Sequence, residues 1–239
     1  MKKILSIIVP VFNEQKTVKQ LLGKVFRAKL PDGINKEIIV VDDCSTDKTS
    51  IFLSSIKDIK FVYLRHNRNL GKGVAVKTGI KRAKGDYLII QDADLEYDPN
   101  DYTRLLEPIL KGKSQIVFGT RLANYPLKLW GKNKTFLPLH LIANKLLTGL
   151  VNLLYGSSLT DMETGYKLFT KEVIKKIDLK SDRFEIEPEI TIKSLKLGYN
   201  IFEVPIKTKP RGYDEGKKIG FWDGILAIWT ILKYKFLFN

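Results

Sequence analysis

The feature that most constrains the fold is a series of short, continuously apolar segments, each followed by a polar or acidic cluster. Four such segments lie in the first half of the chain, at residues 4–9, 37–41, 61–64 and 87–90. Runs of this length are typical of strands that are buried on both faces of a sheet. Segments with helical periodicity lie between them. This alternation predicts an α/β fold with a mostly parallel sheet and helices on both faces.

The helices between these strands are predicted from apolar spacing. The first places Val18, Leu21, Leu22, Val25 and Phe26 on one face, and Asn13 is a candidate N-cap. Two more are expected to end near residues 56 and 83. The second half predicts strands at 116–118 and 201–206 and helices at 171–177 and 188–197. Its two long apolar segments, 137–155 and 221–239, are interrupted by lysine or asparagine.

Three polar clusters follow predicted strands directly. They are Asn13-Glu14, Asp42-Asp43 and Asp92-Ala93-Asp94. In an open α/β sheet, ligands bind at the carboxyl ends of the strands. The three clusters therefore point to one site.

The sharpest of these signals is the pair of carboxylates at Asp92 and Asp94. Placed after a buried strand, both can reach one hard divalent cation, and Mg²⁺ and Mn²⁺ prefer carboxylate and phosphate oxygens. Glu96 could supply a third oxygen. A metal held here would neutralise the diphosphate of a departing nucleotide.

Ordered motifs along nearly the whole chain, from about Ile4 to Trp229, resemble those of family 2 glycosyltransferases, in the version of the dolichyl-phosphate mannose synthases. Together these motifs are more specific than any one alone. The motifs are Val9-Pro10-Val11-Phe12-Asn13-Glu14, residues 40–49, Asn69-Leu70-Gly71-Lys72-Gly73, Asp92-Ala93-Asp94-Leu95 with Glu96-Tyr97-Asp98-Pro99, Gly119-Thr120-Arg121 and residues 210–218.

The resemblance implies a role for each matching residue. The residues expected to hold the nucleotide base and ribose are Pro10, Phe12, Glu14, Val41 and Asp43. Those expected to hold the diphosphate and metal are Asp92, Ala93 and Asp94, with Glu96 as a further metal ligand. The expected phosphate-binding residues, which with Asp94 form the catalytic set, are Arg121, Arg211 and Lys217.

The chain departs from the family pattern at four positions. Phe12 replaces the usual tyrosine, and Glu96 stands where glutamine or serine is common. Gly216 replaces serine, and Asp214 stands where the mannose synthases have glycine. The last two leave the donor sugar open.

The implied fold is a GT-A-like, Rossmann-related three-layer sandwich with apolar interfacial helices in mid-chain and at the C-terminus. Residues 1–220 would form the catalytic domain, and residues 221–239 a helix of the same unit. The implied reaction is metal-dependent, with Mg²⁺ or Mn²⁺. It transfers a hexosyl group from a nucleotide sugar of the GDP-mannose or UDP-glucose type to a polyprenyl or dolichyl phosphate. The configuration at the anomeric carbon is inverted.

A formal net charge of +15 also favours an anionic partner. The two long apolar segments look like interfacial helices whose lysines face anionic lipid. No signal peptide and no transmembrane span are predicted. We therefore expect peripheral attachment to the cytoplasmic face of the cell membrane, with room for a membrane-anchored partner subunit.

Competing hypotheses make different demands on the sequence. A family 2 enzyme with a hydroxyl acceptor needs a base, and Asp161 is the candidate, with Glu163 in the same loop. A basic nucleic-acid-binding protein predicts motifs that are absent, so no nucleic-acid partner is expected. A P-loop ATPase needs a register that Gly71-Lys72-Gly73 lacks. A nucleotidyltransferase needs a glycine-rich basic signature near the first strand, which is also absent.

Overall fold

The computed structural model describes residues 2–123, 138–210 and 220–237. Within these ranges the strands are β1 (Lys3–Val11), β2 (Ile34–Asp42), β3 (Val62–Arg65), β4 (Tyr87–Ile90), β5 (Ile116–Thr120), β6 (Lys167–Thr170) and β7 (Ile201–Pro205). The α-helices are α1 (Val18–Arg27), α2 (Thr49–Ser55), α3 (Lys72–Arg82), α4 (Tyr102–Leu110), α5 (Pro138–Tyr155), α6 (Lys171–Lys176), α7 (Ile186–Lys196) and α8 (Phe221–Phe236). A short 3₁₀ helix, Pro99–Asp101, precedes α4.

The strands form one sheet in the order β3-β2-β1-β4-β6-β5-β7. Strand β6 runs antiparallel to β4 and β5, and every other neighbouring pair is parallel. The predicted mostly parallel α/β sheet is therefore confirmed. Strand order reverses at β1, so the carboxyl ends of β1, β2 and β4 lie side by side, where a crevice for ligands is expected.

Alternate residues of the central strands enter two separate cores. Leu5, Ile7 and Val9 of β1 belong to the core beneath α1, α2 and α4. Ile8 belongs to the core beneath α3, α6 and α7. Because side chains alternate across a strand, this division shows that both faces of the sheet are covered. The three-layer arrangement is thus confirmed.

Several local predictions are wrong. Phe26 is 51% exposed, although its four apolar partners on α1 are buried. Asn13 does not cap α1, which begins at Val18. Its Oδ1 instead accepts a hydrogen bond from the Thr46 amide (2.8 Å). Helix α4 and strand β6 were not predicted.

Helices α5 and α8 pack against each other, and α8 also contacts α7. Leu147 and Val151 of α5 share a small core with Ala227 and Ile231 of α8. The outward surfaces of both helices remain apolar, with exposed Leu139, Leu146, Leu153, Ile225, Ile228, Trp222 and Trp229. In the part of the chain that the structure describes, no helix combines the length and the apolar character needed to cross a membrane. The domain boundary at residue 220 stays a prediction.

Candidate active site

The carboxyl edge of the sheet carries unusual backbone geometry. Asn13, Cys44 and Leu95 have positive φ angles of 51°, 61° and 64°. One of these residues lies in each loop that follows β1, β2 and β4. Residues other than glycine seldom adopt this conformation, and where they do they cluster at functional sites. The geometry thus marks the edge that the polar clusters indicate.

The residues expected to hold the nucleotide lie at the ends of β1 and β2. Pro10 and Val41 are buried and directly opposite each other in the β1–β2 register. Phe12 is half-buried. Glu14 is buried, and its Oε2 accepts a hydrogen bond from the Thr17 hydroxyl (2.8 Å). The structure brings these residues together, while their role in binding stays a prediction.

Asp43 has a clear role within the protein itself. Its carboxylate accepts hydrogen bonds from the amides of Leu70 (2.9 Å) and Gly71 (2.7 Å). His66 Nδ1 lies 2.7 Å from its Oδ1. These contacts tie the end of β2 to the loop that leads into α3.

Asp92 and Asp94 lie at the carboxyl end of β4, on either side of the buried Ala93. Both are half-buried, and Asp94 Oδ1 accepts a hydrogen bond from the Glu96 amide (3.1 Å). Across the described ranges, no three histidine, cysteine, aspartate or glutamate side chains converge as a metal-ligand group. Glu96 is therefore not assembled with the pair as a third ligand, and this metal set stays a prediction.

The two carboxylates still fit a divalent cation of the expected kind. Mg²⁺ usually takes one or two carboxylates and completes its shell with water and substrate phosphate oxygens. Asp92 and Asp94 provide such an oxygen-only pair at the carboxyl end of β4. The residues present therefore suit Mg²⁺ or Mn²⁺ that shares its coordination with a diphosphate.

Lys72, at the start of α3, reaches this pair. Its Nζ lies 2.7 Å from Asp92 Oδ1 and 2.9 Å from Glu187 Oε1, which belongs to α7. Burial by itself lowers the pKa of Lys72, but the charges of Asp92 and Glu187 outweigh it, so the pKa lies above its usual range. The side chain is thus an ammonium, wedged between two carboxylates.

A second lysine, Lys167, binds the other carboxylate oxygen of Glu187. Lys167 is fully buried, and its Nζ makes an ion pair with Glu187 and donates to the Thr164 carbonyl (2.6 Å). Burial would raise the pKa of Glu187, but Lys167 and Lys72 together lower it to about 2. Glu187 is therefore a permanent anion between two cations.

Glu163 also lies near charged side chains, Lys167 and Arg121 among them, but its carboxyl group is held differently from that of Glu187. Within the described part of the chain, its Oε1 is buried without a hydrogen-bond partner. Burial raises the pKa of Glu163 to about 7, despite the opposing charges of Lys167 and Arg121. Near neutral pH this carboxyl group is partly protonated.

Arg121 and Asp161 form a bidentate pair. The Asp161 carboxylate accepts from Arg121 Nε (2.7 Å), Nη2 (2.8 Å) and the backbone amide (2.9 Å). Asp161 is fully buried, while the Arg121 side chain is 20% exposed. Fork-to-fork pairing of this kind is strong and geometrically specific. Asp161 therefore orients Arg121, whose remaining N–H donors can face an anion.

Arg211 and Lys217, with Asp214 and Gly216, lie outside the described residues. The chain just before them runs beside the loop that follows β4. The Lys209 amide donates to the Glu96 carbonyl (2.9 Å), and Tyr97 forms an isolated antiparallel bridge with Thr208. Their roles in binding phosphate stay predictions.

Lys72, Lys167 and Glu187 are the site residues that the sequence did not single out. The glycines on either side of Lys72 were the feature of the sequence that could have drawn attention to it. Gly71 has φ of 101°, and an added Cβ would lie 2.3 Å from the Asp182 carbonyl oxygen. At Gly73 it would lie 2.5 Å from the Ser181 carbonyl oxygen. Both glycines thus permit close approach of the loop before α7.

Comparisons with known proteins show the family of this chain. The model of glycosyl transferase family 2 matches residues 6–178. A UDP-N-acetylglucosamine–dolichyl-phosphate N-acetylglucosaminyltransferase of Methanococcus voltae is 28% identical over 98% of this chain and 96% of its own length. A dolichol-phosphate mannosyltransferase of Pyrococcus furiosus is 29% identical over 96% of this chain and 64% of its own length.

A solved structure shows the same fold. The glucosyl-3-phosphoglycerate synthase of Mycobacterium tuberculosis, crystallised with Mn²⁺, UDP and glucosyl-3-phosphoglycerate, matches with a TM-score of 0.71. The match covers 98% of this chain and 80% of that chain at 19% identity. At this identity the likeness speaks for the GT-A fold alone.

Proposed function

Since the chain belongs to glycosyl transferase family 2, we propose that it transfers a hexosyl group from a nucleotide sugar to a polyprenyl phosphate. Two relatives that match nearly all of the chain are named for dolichyl- or dolichol-phosphate. The sugars in their names differ, N-acetylglucosamine in one and mannose in the other. The proposed donor is therefore a class, a nucleotide-activated hexose of the GDP-mannose or UDP-glucose type.

The pairing of Asp161 with Arg121 is the observation that carries the choice of acceptor. A hydroxyl acceptor needs a base with a free lone pair within hydrogen-bond reach. The Asp161 carboxylate is fully buried and accepts three hydrogen bonds from Arg121. A phosphate acceptor is already anionic at neutral pH and needs no base. The geometry supports the phosphate and disfavours Asp161 as a base.

The proposed reaction is a single displacement. A phosphate oxygen of the lipid forms a bond to the anomeric carbon from the face opposite the diphosphate, and the bond from that carbon to the diphosphate oxygen breaks. The configuration at the anomeric carbon is inverted, and a nucleoside diphosphate leaves. Asp92 and Asp94 would hold a Mg²⁺ or Mn²⁺ ion, which would neutralise the departing charge.

The protein's own cations bring two anionic substrates together. Arg121, oriented by Asp161, offers its remaining N–H donors to phosphate oxygens. We assign the same task to Arg211 and Lys217. Without such cations, the lipid phosphate and the donor diphosphate would repel each other.

The proposed nucleotide pocket lies across the ends of β1 and β2. Its members are the base- and ribose-binding set Pro10, Phe12, Glu14, Val41 and Asp43, with Ala93 beside the diphosphate. The pocket lies at the switch in strand order, where open α/β sheets bind their ligands. The side-chain contacts of Asp43 suggest that it shapes this pocket through the loop before α3.

We also propose that α5 and α8 attach the enzyme to the cytoplasmic face of a membrane. Their outward surfaces carry large exposed apolar side chains, including Leu153 and Trp222. Exposed Lys145 and Lys235 lie on the same two helices. Apolar and basic side chains together favour binding to an anionic lipid surface. A membrane-anchored partner subunit would strengthen this attachment.

A transfer assay tests the proposed function. Purified protein is incubated with polyprenyl phosphate, Mg²⁺ or Mn²⁺, and a panel of radiolabelled nucleotide sugars. We expect label from one donor to become extractable into organic solvent. A panel in which no donor labels the lipid phosphate, while a sugar or glycan acceptor is labelled, would refute the proposal.

A further inference from the structure

The ion pair between Lys72 and Asp92 occupies the place where we expect a metal to bind. The two charged groups are 2.7 Å apart, and their side chains are only 15% and 19% exposed. Charges shielded from water interact more strongly than charges on the surface. A divalent cation that uses Asp92 Oδ1 must therefore displace a strongly held ammonium group.

Lys72 is held from its other side as well. Glu187 Oε1 lies 2.9 Å from the Lys72 ammonium, and Lys167 pairs with the other oxygen of Glu187. Lys167 is itself anchored by the carbonyls of Met162 (3.0 Å) and Thr164 (2.6 Å). This chain of buried contacts fixes the position of the ammonium in front of Asp92.

The second oxygen of Asp92 lies close to the loop that contains Gly165. A Cβ added at Gly165 would lie 2.3 Å from Asp92 Oδ2, so the backbone of the Gly165 loop packs directly against this oxygen. The carboxylate thus has Lys72 on one oxygen and backbone on the other. A metal that arrives alone therefore competes with the Lys72 ammonium for Asp92 Oδ1.

We propose that Lys72 blocks Asp92 in the nucleotide-free protein, so that the metal binds tightly only together with the nucleotide diphosphate. A metal arriving alone would leave the displaced ammonium beside a divalent cation, which is unfavourable. A diphosphate provides oxygens for the metal and a new anionic partner for Lys72. The inference rests on the proposed function only in that Asp92 contacts the metal.

The test measures Mn²⁺ binding without any sugar transfer. The full chain is titrated with Mn²⁺, and free Mn²⁺ is followed by electron paramagnetic resonance, first alone and then with UDP or GDP. Lys72→Gln should bind Mn²⁺ alone at least about tenfold more tightly than wild type, because it removes a cation within about 4 Å of the ligand. Lys77→Gln is the matched control, since Lys77 lies on the same helix but pairs with the exposed Asp182.

A second substitution tests whether the gain in Mn²⁺ affinity depends on Asp92. Lys72→Gln combined with Asp92→Asn should return Mn²⁺ affinity to the wild-type level. Lys72→Met gives the same comparison should Lys72→Gln fail to fold. Equal Mn²⁺ affinity of the folded Lys72 variant and wild type would overturn the inference, as would an increase that persists without Asp92. Failure of lipid labelling alone would refute the proposed acceptor and leave this result standing.

Discussion

Glu163 is a buried carboxyl group whose ionisation opposes folding. Its pKa is about 7 in the folded protein, against an ordinary value near 4.3. Between these values the folded state keeps a proton that the unfolded state has lost, so stability falls as pH rises and stays lower above pH 7. Glu163→Gln removes this penalty, which amounts to as much as about 4 kcal/mol.

Thermal unfolding at two pH values checks this prediction. Glu163→Gln should raise the melting temperature relative to wild type at pH 8 and leave it nearly unchanged at pH 4.5. Exposed Glu172 provides the control, because Glu172→Gln should change little at either pH. A difference between Glu163→Gln and wild type that does not vary with pH would contradict the assignment.

Asp94 is the residue on which metal dependence is predicted to rest most directly. Asp94→Asn keeps the shape of the side chain and removes the charge, so the diphosphate loses stabilisation as it departs. We expect transfer to fall about 10²-fold or more. Rates are compared with wild type at saturating Mg²⁺ and in excess chelator. Undiminished wild-type activity in chelator would rule out the metal.

Arg211 and Lys217 are predicted to bind phosphate oxygens. Arg211→Ala and Lys217→Ala should each abolish lipid labelling while leaving the melting temperature close to wild type. Lys207→Ala, a nearby exposed lysine, is the control for loss of positive charge. Normal transfer by both variants would remove these residues from the site.

At the level of single residues, the sequence predicted the groups that follow strands and missed those that pair across the fold. Asp92 and Asp94 were found because they stand directly after a buried apolar run. Lys72 and Glu187 lie far apart in the chain, and only the packing of α3 against the loop before α7 brings them together. Spacing alone could not reveal that pair.

At the level of elements, buried parallel strands were the easiest to predict, because continuous apolar runs mark them. Helix α4 was missed because Pro99 begins a turn-like sequence and Pro108 lies inside the helix. Prolines ordinarily argue against a helical interior. Strand β6 is only four residues long, and its antiparallel pairing with β4 and β5 is a tertiary property.

Helices α5 and α8 carry the prediction of membrane binding. Trp222 and Trp229 are 73% and 55% exposed on α8. Replacing both by serine should weaken binding to anionic vesicles at least about tenfold, because large apolar side chains supply most of the interfacial energy. Flotation at low salt measures this, and Ile51→Ser, an exposed apolar residue on α2, is the control. Unchanged flotation of the double variant would show that the protein does not contact the membrane through Trp222 and Trp229.

The whole molecule has 41 basic residues and 26 acidic ones. Composition alone does not say which kind of anionic partner this excess of positive charge serves. Membership of glycosyl transferase family 2 removes the need for a nucleic-acid partner. A nucleotide sugar, a lipid phosphate and an anionic membrane are each substrates or surfaces that a basic protein attracts. The proposed function thus accounts for the charge with three anionic partners.

In the proposed reaction the acceptor is a phosphate, and no side chain acts as its base. The most direct measurement compares transfer of labelled hexose to polyprenyl phosphate and to free polyprenol, by wild type and by Asp161→Asn. We predict transfer to the phosphate alone, with measurable activity retained by Asp161→Asn. If wild type transfers hexose to the free polyprenol and Asp161→Asn abolishes that transfer, Asp161 is a catalytic base and the lipid-phosphate assignment is wrong.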